Sequence, residues 1–247
     1  MDLVANAFSV LALDDGEDPS KLLSASVSEA GESGKKSKSK SKSSDDKLVV
    51  DNGNSKEHDL GVTVADYRLP LVWIDLEMTG LNVEVDRILE IACIITDGNL
   101  SKSVEGPEFV IHQSQECLDK MNEWCQDHHA ASGLTKKVLE STVTEHEAEQ
   151  QVIEFVKKHV GTYTPLLAGN SVYTDFIFLK KYMPDLASMF SHVLVDVSSV
   201  KALCVRWYPK AHRKAPSKEQ KHRALDDIRE SILELKYYKD AIFKSRK

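Results

Sequence analysis

The sequence is poor in cysteine and has no long apolar run. Only four of its 247 residues are cysteine, and no two of them form a C-x-x-C pair. This spacing argues against a structural zinc site and is typical of a reducing compartment. No stretch reaches the ~18 to 20 apolar residues that a membrane span requires. We therefore expect an intracellular protein without a membrane partner, in the cytoplasm, with the nucleus or the mitochondrion as alternatives.

The first quarter of the chain has a single aromatic residue, Phe8, and no arginine. No aromatic residue lies between Phe8 and Tyr67, and the first arginine is Arg68. Such a segment cannot bury enough apolar surface to offset the entropy that ordering would cost. Early acidic residues without arginine also argue against an organelle transit peptide. We predict a disordered low-complexity tail over residues 1–66 and one folded domain over residues 67–247.

Within this tail, residues 35–44 form an alternating Lys/Ser run. A solvated linker explains it best, while contact with RNA phosphates and a nuclear address remain alternatives.

Basic residues are in the minority, and the formal net charge is −7. Proteins that hold a long polyanion use many Lys and Arg side chains to contact its phosphates. The charge therefore disfavours extended nucleic-acid contact and is compatible with a ligand of only a few nucleotides.

The most informative segment is LVWIDLEMTG, residues 71–80, in which an apolar run ends in two acids. Asp75 and Glu77 are two residues apart, so a strand places both side chains on the same face. Like charges this close repel each other unless a cation lies between them. Oxygen ligands favour Mg²⁺ or Mn²⁺ over zinc. The alternative is a solvated strand end without a ligand.

Further acids follow at the starts of two predicted helices. Asp175 lies about one turn into a helix that follows the short apolar segment ending in Gly169-Asn170-Ser171. His222 and Asp227 lie at the start of a long amphipathic C-terminal segment. Taken singly, an acid in a first helical turn is often a capping or dipole group, and a lone histidine is often structural. Their order along the chain favours a shared site.

Apolar periodicity predicts strands and helices in alternation. The pattern indicates an α/β domain with a mixed central sheet and surrounding helices. Strands are predicted at 71–75, 88–96, 108–112, 166–168 and 193–196, and helices at 118–128, 144–159, 175–182, 197–207 and 225–243.

Three segments resemble the exonuclease motifs of the DEDDh superfamily, and the oligoribonuclease family in particular. They read WIDLEMTGL, GNSVYTD and HRALDDIRES, and the resemblance covers most of residues 69–244. It implies an RNase H-like fold and a metal-dependent 3′-to-5′ exoribonuclease. The expected substrate is short single-stranded RNA, which is degraded to 5′-mononucleotides with two Mg²⁺ or Mn²⁺ ions. The family also implies a homodimer.

The resemblance assigns the catalytic residues one by one. It implies that His222 is the general base, and the family's His-to-Asp spacing selects Asp227 over the adjacent Asp226. The implied metal ligands are Asp75, Glu77, Asp175 and Asp227.

The resemblance also implies how RNA is held. Leu81 matches a wedge between the two bases, and Trp124 matches an aromatic side chain beside them. His129, Ser171 and Ser198 match members of a polar cap over the 5′-phosphate. For Trp124, a position in the core of a helix is the alternative.

The chain departs from the family ahead of Asp196. Relatives usually carry His-Tyr-Arg there, with the tyrosine reaching across from a partner subunit, whereas this chain has Ser191-His192-Val193. A valine cannot replace the bidentate phosphate contact of an arginine. We expect a weaker preference for 5′-phosphorylated dinucleotides.

Two other functions fit part of the pattern. One is a DEDDh exonuclease for longer RNA or for DNA 3′ ends, and the other is a non-catalytic RNase H-like binding module. The complete set of four acids and one histidine favours catalysis over the binding module.

Deleting residues 1–65 should leave the melting temperature and the rate in vitro near those of the full chain, because the segment offers no packed core. Calorimetry and a turnover assay on the truncated protein test this. A large loss of either quantity would show that the tail belongs to the folded enzyme.

Overall fold

The computed structural model describes residues 67–217 and 223–243. The predicted tail and the predicted base His222 lie outside these residues, so both stay predictions. Within the described ranges, no helix combines the length and the apolar character that crossing a membrane requires.

Five strands form one mixed sheet in the order β3-β2-β1-β4-β5. The central strand β1 pairs antiparallel with β2 and parallel with β4, and β4 pairs parallel with β5. This confirms the predicted mixed sheet. The strands are β1 Leu71–Met78, β2 Ile88–Thr96, β3 Ser103–Val110, β4 Leu166–Gly169 and β5 Leu194–Asp196.

Helices connect the strands and cover both faces of the sheet. In the described residues they are α1 Gln115–Asp119, α2 Glu123–Ala131, α3 Leu134–Glu140, α4 Glu145–Val160, α5 Tyr173–Tyr182, α6 Pro184–Ala187, α7 Val197–Trp207, α8 Pro209–His212 and α9 Ala224–Ile242.

The central strands are buried on both faces, which explains their nearly continuous apolar sequences. Alternate β1 residues belong to two separate core clusters. On one face Val72 and Ile74 belong to a cluster with Val152 of α4. On the other face Trp73 belongs to a cluster with Ile228 of α9. The sheet is therefore a rigid layer between α4 and α9, and groups at the end of β1 are held firmly.

The third strand begins five residues earlier than the sequence prediction of 108–112. Gly106 and Pro107 argued against a strand at this point, because proline removes a ladder hydrogen bond. The structure accommodates them by placing β3 at the edge of the sheet, with a register shift between Ala92 and Ile94 opposite the Gly-Pro pair.

The helix predicted at 118–128 is two helices. Leu118, Met121 and Cys125 keep helical spacing across the break, so periodicity alone could not reveal it. The side chain of Asn122 accepts a hydrogen bond from the Cys125 amide at 2.9 Å and caps α2, which starts a new helix at this point. The short helices α3, α6 and α8 were also not predicted.

The topology places the site. Because β1, β4 and β5 run parallel, their carboxyl ends lie at the same edge of the sheet. This edge is where α/β folds collect ligand-binding groups. Helices α5 and α7 start directly after β4 and β5, so their first turns lie at that edge too.

Candidate active site

Two carboxylates project from the end of β1. Asp75 and Glu77 are paired in register with Ala92 and Glu90 of β2, and the buried Leu76 lies between them on the opposite face. The strand thus continues through both acids and places them on one face, as their spacing predicted.

A third carboxylate reaches the same place from the C-terminal helix. Asp227 lies in the first turn of α9. One carboxylate oxygen from each of Asp75, Glu77 and Asp227 lies within 4.8 Å of the other two. We call these three residues the carboxylate cluster. Asp227 and the two β1 acids, which lie 150 and 152 positions before it, therefore form one all-oxygen group.

Asp175 lies beside the cluster and is anchored to β1. It is the third residue of α5 and only 6 % exposed. Its Oδ1 accepts a hydrogen bond from the Leu76 amide at 3.0 Å, between the two β1 acids. Burial raises its pKa to about 7, the Leu76 hydrogen bond works in the opposite direction, and the charge of Asp196 adds to the rise.

Glu77 of the cluster is electrostatically strained. Burial raises its pKa to about 8, and the negative charges of Asp227, Glu90 and Asp175 add to that rise. A carboxylate this hard to ionise needs a cation to be charged at neutral pH. The donors are all carboxylate oxygens, which suit a hard divalent cation better than a soft one.

The structure distinguishes the two adjacent aspartates of the third motif. Asp226 forms an ion pair with Arg229 at 2.7 Å, and Arg229 also binds Glu105 of β3 at 2.7 Å. Asp226 thus supports the attachment of α9 to the sheet edge, whereas Asp227 joins the carboxylate cluster.

Sequence reasoning missed an ion pair that fixes the start of α9. Glu90 is fully buried, and it binds the guanidinium of Arg223 at 2.8 Å and the Ala224 amide at 3.3 Å. Arg223 also reaches Glu108 at 3.0 Å. A signal was present, because Glu90 is the single charged residue in the apolar run ILEIACIIT. The pair ties the helix that carries Asp227 to the strand beside Glu77.

A polar network lies at the ends of β4 and β5. Oδ1 of Asp196 accepts hydrogen bonds from the amides of Ser171 and Ser198, each at 2.9 Å. The two serine hydroxyls lie 2.9 Å apart, and Ser198 donates to Asn170 Oδ1 at 2.8 Å. Ser171 has a left-handed backbone with φ of 54°, which this network helps to hold. The structure therefore brings the two predicted cap serines together.

Leu81 lies in a loop whose residues are joined to one another by hydrogen bonds. The carboxylate of Asp86 accepts hydrogen bonds from Thr79 Oγ1 at 2.9 Å and from the Asn82 amide at 2.8 Å. A side chain at Gly80 would lie 2.5 Å from that carboxylate, so only glycine fits there. The loop thereby holds Leu81, half-buried, immediately after the end of β1.

The two aromatic predictions in α2 differ in exposure. Trp124 is 43 % exposed and stacks on His128 with ring centroids 3.8 Å apart, so it is not a core residue. His129 is only 3 % exposed. Its Nε2 lies 2.9 Å from the Met78 carbonyl, and its Nδ1 lies 3.9 Å from Glu77. The structure thus places His129 between the end of β1 and the carboxylate cluster.

The raised pKa values of Glu77 and Asp175 predict how pH affects the metal-free protein. Unfolding returns both groups to ordinary carboxyl pKa values near ~4. Between about pH 4 and 8 the folded state therefore binds more protons than the unfolded state, and stability falls as pH rises. We expect the melting temperature in chelator to fall from pH 5 to 8, and added divalent cation to restore more of it at pH 8 than at pH 5.

The control for this prediction is the Glu77→Gln, Asp175→Asn double variant, which keeps every histidine. Its melting temperature in chelator should vary less with pH. Equal slopes in wild type and variant would contradict the assignment.

Comparison with known proteins identifies the family and supports the fold. The family model RNase_T, described as exonuclease, matches residues 72–235. The chain is similar to oligoribonuclease of Arabidopsis thaliana, with 61 % identity over all 247 residues and the full length of that protein. It is 51 % identical over 176 residues to mitochondrial oligoribonuclease of Homo sapiens, covering 71 % of this chain and 74 % of that one. The Marinobacter nauticus oligoribonuclease is 51 % identical over 174 residues, covering 70 % and 96 %.

Solved structures share the fold at low identity. The metal-free Escherichia coli exonuclease I complex with single-stranded DNA has a TM-score of 0.54 and 14 % identity, over 71 % of this chain and 40 % of that chain. The zinc-bound form of that complex has a TM-score of 0.57, also at 14 % identity, over 71 % and 41 %. This chain thus spans about two fifths of those longer enzymes.

An acidic cluster in an exonuclease fold indicates dependence on a divalent metal. With a match to the exonuclease family over two thirds of its length and 61 % identity to a full-length relative, the chain belongs to the oligoribonuclease family of 3′-to-5′ exoribonucleases, on an RNase H-like fold.

Proposed function

We propose that this protein hydrolyses short single-stranded oligoribonucleotides from the 3′ end, with two divalent ions, and releases 5′-mononucleotides. The carboxylate cluster carries the proposal, because three acids from β1 and α9 place oxygens within 4.8 Å of one another, and a cation among them would offset their mutual repulsion. Family membership supplies the substrate class.

Four acids would hold the ions, which we propose to be Mg²⁺ or Mn²⁺. Asp75, Glu77 and Asp227 offer adjacent oxygens, and Asp175 completes the set from beside the Leu76 amide. Ions held there supply charge neutralisation at the phosphate and lower the pKa of the attacking water. Their positive charge would also offset the burial and the carboxylate repulsion that raise the pKa of Glu77.

His222 is proposed as the general base that takes the proton from the attacking water. An imidazole titrates near ~6.5 and is largely neutral at working pH. The described neighbour Arg223 supports this role, because its ion pair with Glu90 fixes the chain one residue after the histidine.

We propose that Leu81 and Trp124 contact the bases, and that His129, Ser171 and Ser198 serve the phosphate groups. Stacking of a base on an aromatic side chain stabilises binding by roughly 1–3 kcal/mol and tolerates any base. The partial exposure of Trp124 and the shared hydrogen bonding of the two serines fit these roles.

We also propose a homodimer. Helix α7 leaves Leu203 and Trp207 exposed, the latter by 65 %, and both lie on one helix face at i and i+4. Large apolar side chains grouped on a surface often mark a subunit interface.

The cellular compartment stays a prediction; the human relative carries the word mitochondrial in its name.

The second candidate function is a 3′-to-5′ exonuclease that acts on longer RNA or on DNA ends. One observation favours it: Val193 is exposed where relatives place the cap arginine, so the 5′ side of the site is less closed. The non-catalytic binding module has no such support, since the acids converge as catalysis requires.

The test is incubation with Mg²⁺ or Mn²⁺ and 5′-labelled RNAs of two, five and twenty nucleotides, with a DNA strand in parallel. We expect stepwise shortening of the RNA, and Asp75→Asn, Glu77→Gln, Asp175→Asn and Asp227→Asn should each abolish it while the fold persists. Asp226→Asn is the matched control and should stay active. Full activity of Asp227→Asn would show that the site is misassigned.

His222→Ala should retain metal binding and slow turnover by about 10² to 10⁴. Binding of Mn²⁺ and the pH profile of turnover check this. A variant with an unchanged pH profile would remove His222 from the mechanism.

The altered cap predicts a muted dependence on the 5′-phosphate. A charge-assisted contact of the kind that Val193 cannot make contributes about 1.5–3 kcal/mol. Val193→Arg, alone or with His192→Tyr, should therefore sharpen the preference for 5′-phosphorylated dinucleotides. The measurement is the affinity of Asp227→Asn protein for dinucleotides with and without that phosphate. A hundredfold loss in the otherwise unchanged chain, about 2.7 kcal/mol, would mean that other residues have rebuilt the cap.

A further inference from the structure

Apart from the Lys/Ser run at residues 35–44, positive charge is concentrated in one segment of an otherwise acidic protein. Residues 197–223 contain eight Lys and Arg but a single acid, Glu219, whereas the full chain has a net charge of −7. The rest of the protein is therefore strongly negative. Such asymmetry indicates a localised surface for an anionic partner.

Three of these cations form one exposed surface, which we call the basic patch. Lys210 lies in α8, and Arg213 and Lys214 follow three and four positions later, so one helical turn presents all three. All three are exposed. Within the described part of the chain, no acidic side chain pairs with any of them. Within those residues, no carboxylate compensates for their mutual repulsion.

The turn that carries the basic patch is fixed rather than loosely attached. The Tyr237 hydroxyl donates to the Ala211 carbonyl at 2.6 Å, and His212 Nδ1 lies 3.1 Å from the Tyr238 hydroxyl. Tyr238 is fully buried in α9. Both tyrosines lie on the helix that also carries Asp227, so the patch and the catalytic cluster share one rigid support.

The same helix sets the distance between the two places. Tyr237 is ten residues after Asp227, which corresponds to about 15 Å along a helix that rises 1.5 Å per residue. Stacked nucleotides advance about 3.4 Å each, so roughly four of them span this distance. A dinucleotide in the catalytic site would not reach the patch, whereas a longer strand could.

We propose that the basic patch is a second RNA-binding site, at which Lys210, Arg213 and Lys214 contact phosphates of the 5′ part of oligoribonucleotides longer than about four nucleotides. This inference rests on the proposed function, and it adds longer oligoribonucleotides to the proposed substrates. Charge complementarity selects the occupant, since the patch offers cations to a substrate that carries one negative charge per nucleotide. It also explains how a protein with a net charge of −7, whose cap has lost an arginine, retains longer strands.

The test variant is Lys210→Gln, Arg213→Gln, Lys214→Gln, and the control is Lys137→Gln, Lys157→Gln, Lys158→Gln. The control removes three exposed cations from α3 and α4 and so changes the net charge equally. For both proteins and wild type, kcat/KM is measured on RNAs of two, five and twenty nucleotides between 50 and 200 mM salt. Melting temperatures confirm that the variants are folded.

We expect the test variant to lose about tenfold in kcat/KM on the twenty-nucleotide RNA at low salt, mainly through KM, and its salt slope to fall by about 2 because three phosphate contacts are lost. The dinucleotide should be hydrolysed as by wild type, and the control should behave as wild type on every RNA.

Equal losses on all lengths, or the same loss in the control, would overturn the proposal. An unchanged kcat/KM of the test variant on the twenty-nucleotide RNA would also overturn it. If that variant instead changed only its oligomeric state, the patch would be a subunit interface and the proposal would be wrong. Failure of wild type to cleave any RNA would instead overturn the proposed function, so the two failures are distinguishable.

Discussion

The repulsion among buried carboxylates is the constraint on which the rest of the structure depends. Asp75, Glu77 and Asp227 place oxygens within 4.8 Å of one another, and burial with the neighbouring charges raises the pKa of Glu77 to about 8. This arrangement costs free energy unless a cation is present. A rigid frame is needed to hold it, and the central strands, buried on both faces between α4 and α9, are that frame.

Hydrogen bonds and ion pairs around the carboxylate cluster attach each acid to the rigid central strands. Glu90 of β2 fixes Arg223, and Arg223 begins the helix that carries Asp227. The Leu76 amide fixes Asp175 at the start of α5. Each acid is thereby attached to β1 or to the strand next to it. Glu90 is fully buried and Arg223 is partly exposed, so removing Arg223 would leave a buried carboxylate without its cation, which proteins tolerate poorly.

The residues around the carboxyl edge of the sheet bear on the length of RNA that we propose as substrate. We propose that Leu81, Trp124 and the two serines held by Asp196 contact a very short RNA. Val193, which stands where relatives carry arginine, is exposed. The basic patch packs against Tyr237, about 15 Å along α9 from Asp227, and only longer strands would span that distance. The two regions together would let one metal site act on RNAs of different lengths.

The sequence by itself determined the alternation of strands and helices, the shared face of Asp75 and Glu77, and the family, because these depend on local periodicity and on motifs of consecutive residues. The family's spacing favoured Asp227 over Asp226, but only the tertiary structure shows what each carboxylate contacts: Asp227 lies at the cluster, and Asp226 pairs with Arg229. It also revealed the Glu90–Arg223 pair, whose members lie 133 positions apart. Contacts between residues that are distant in sequence leave no periodic signal in that sequence. They become visible only in the folded chain, where the sheet topology brings the two residues together.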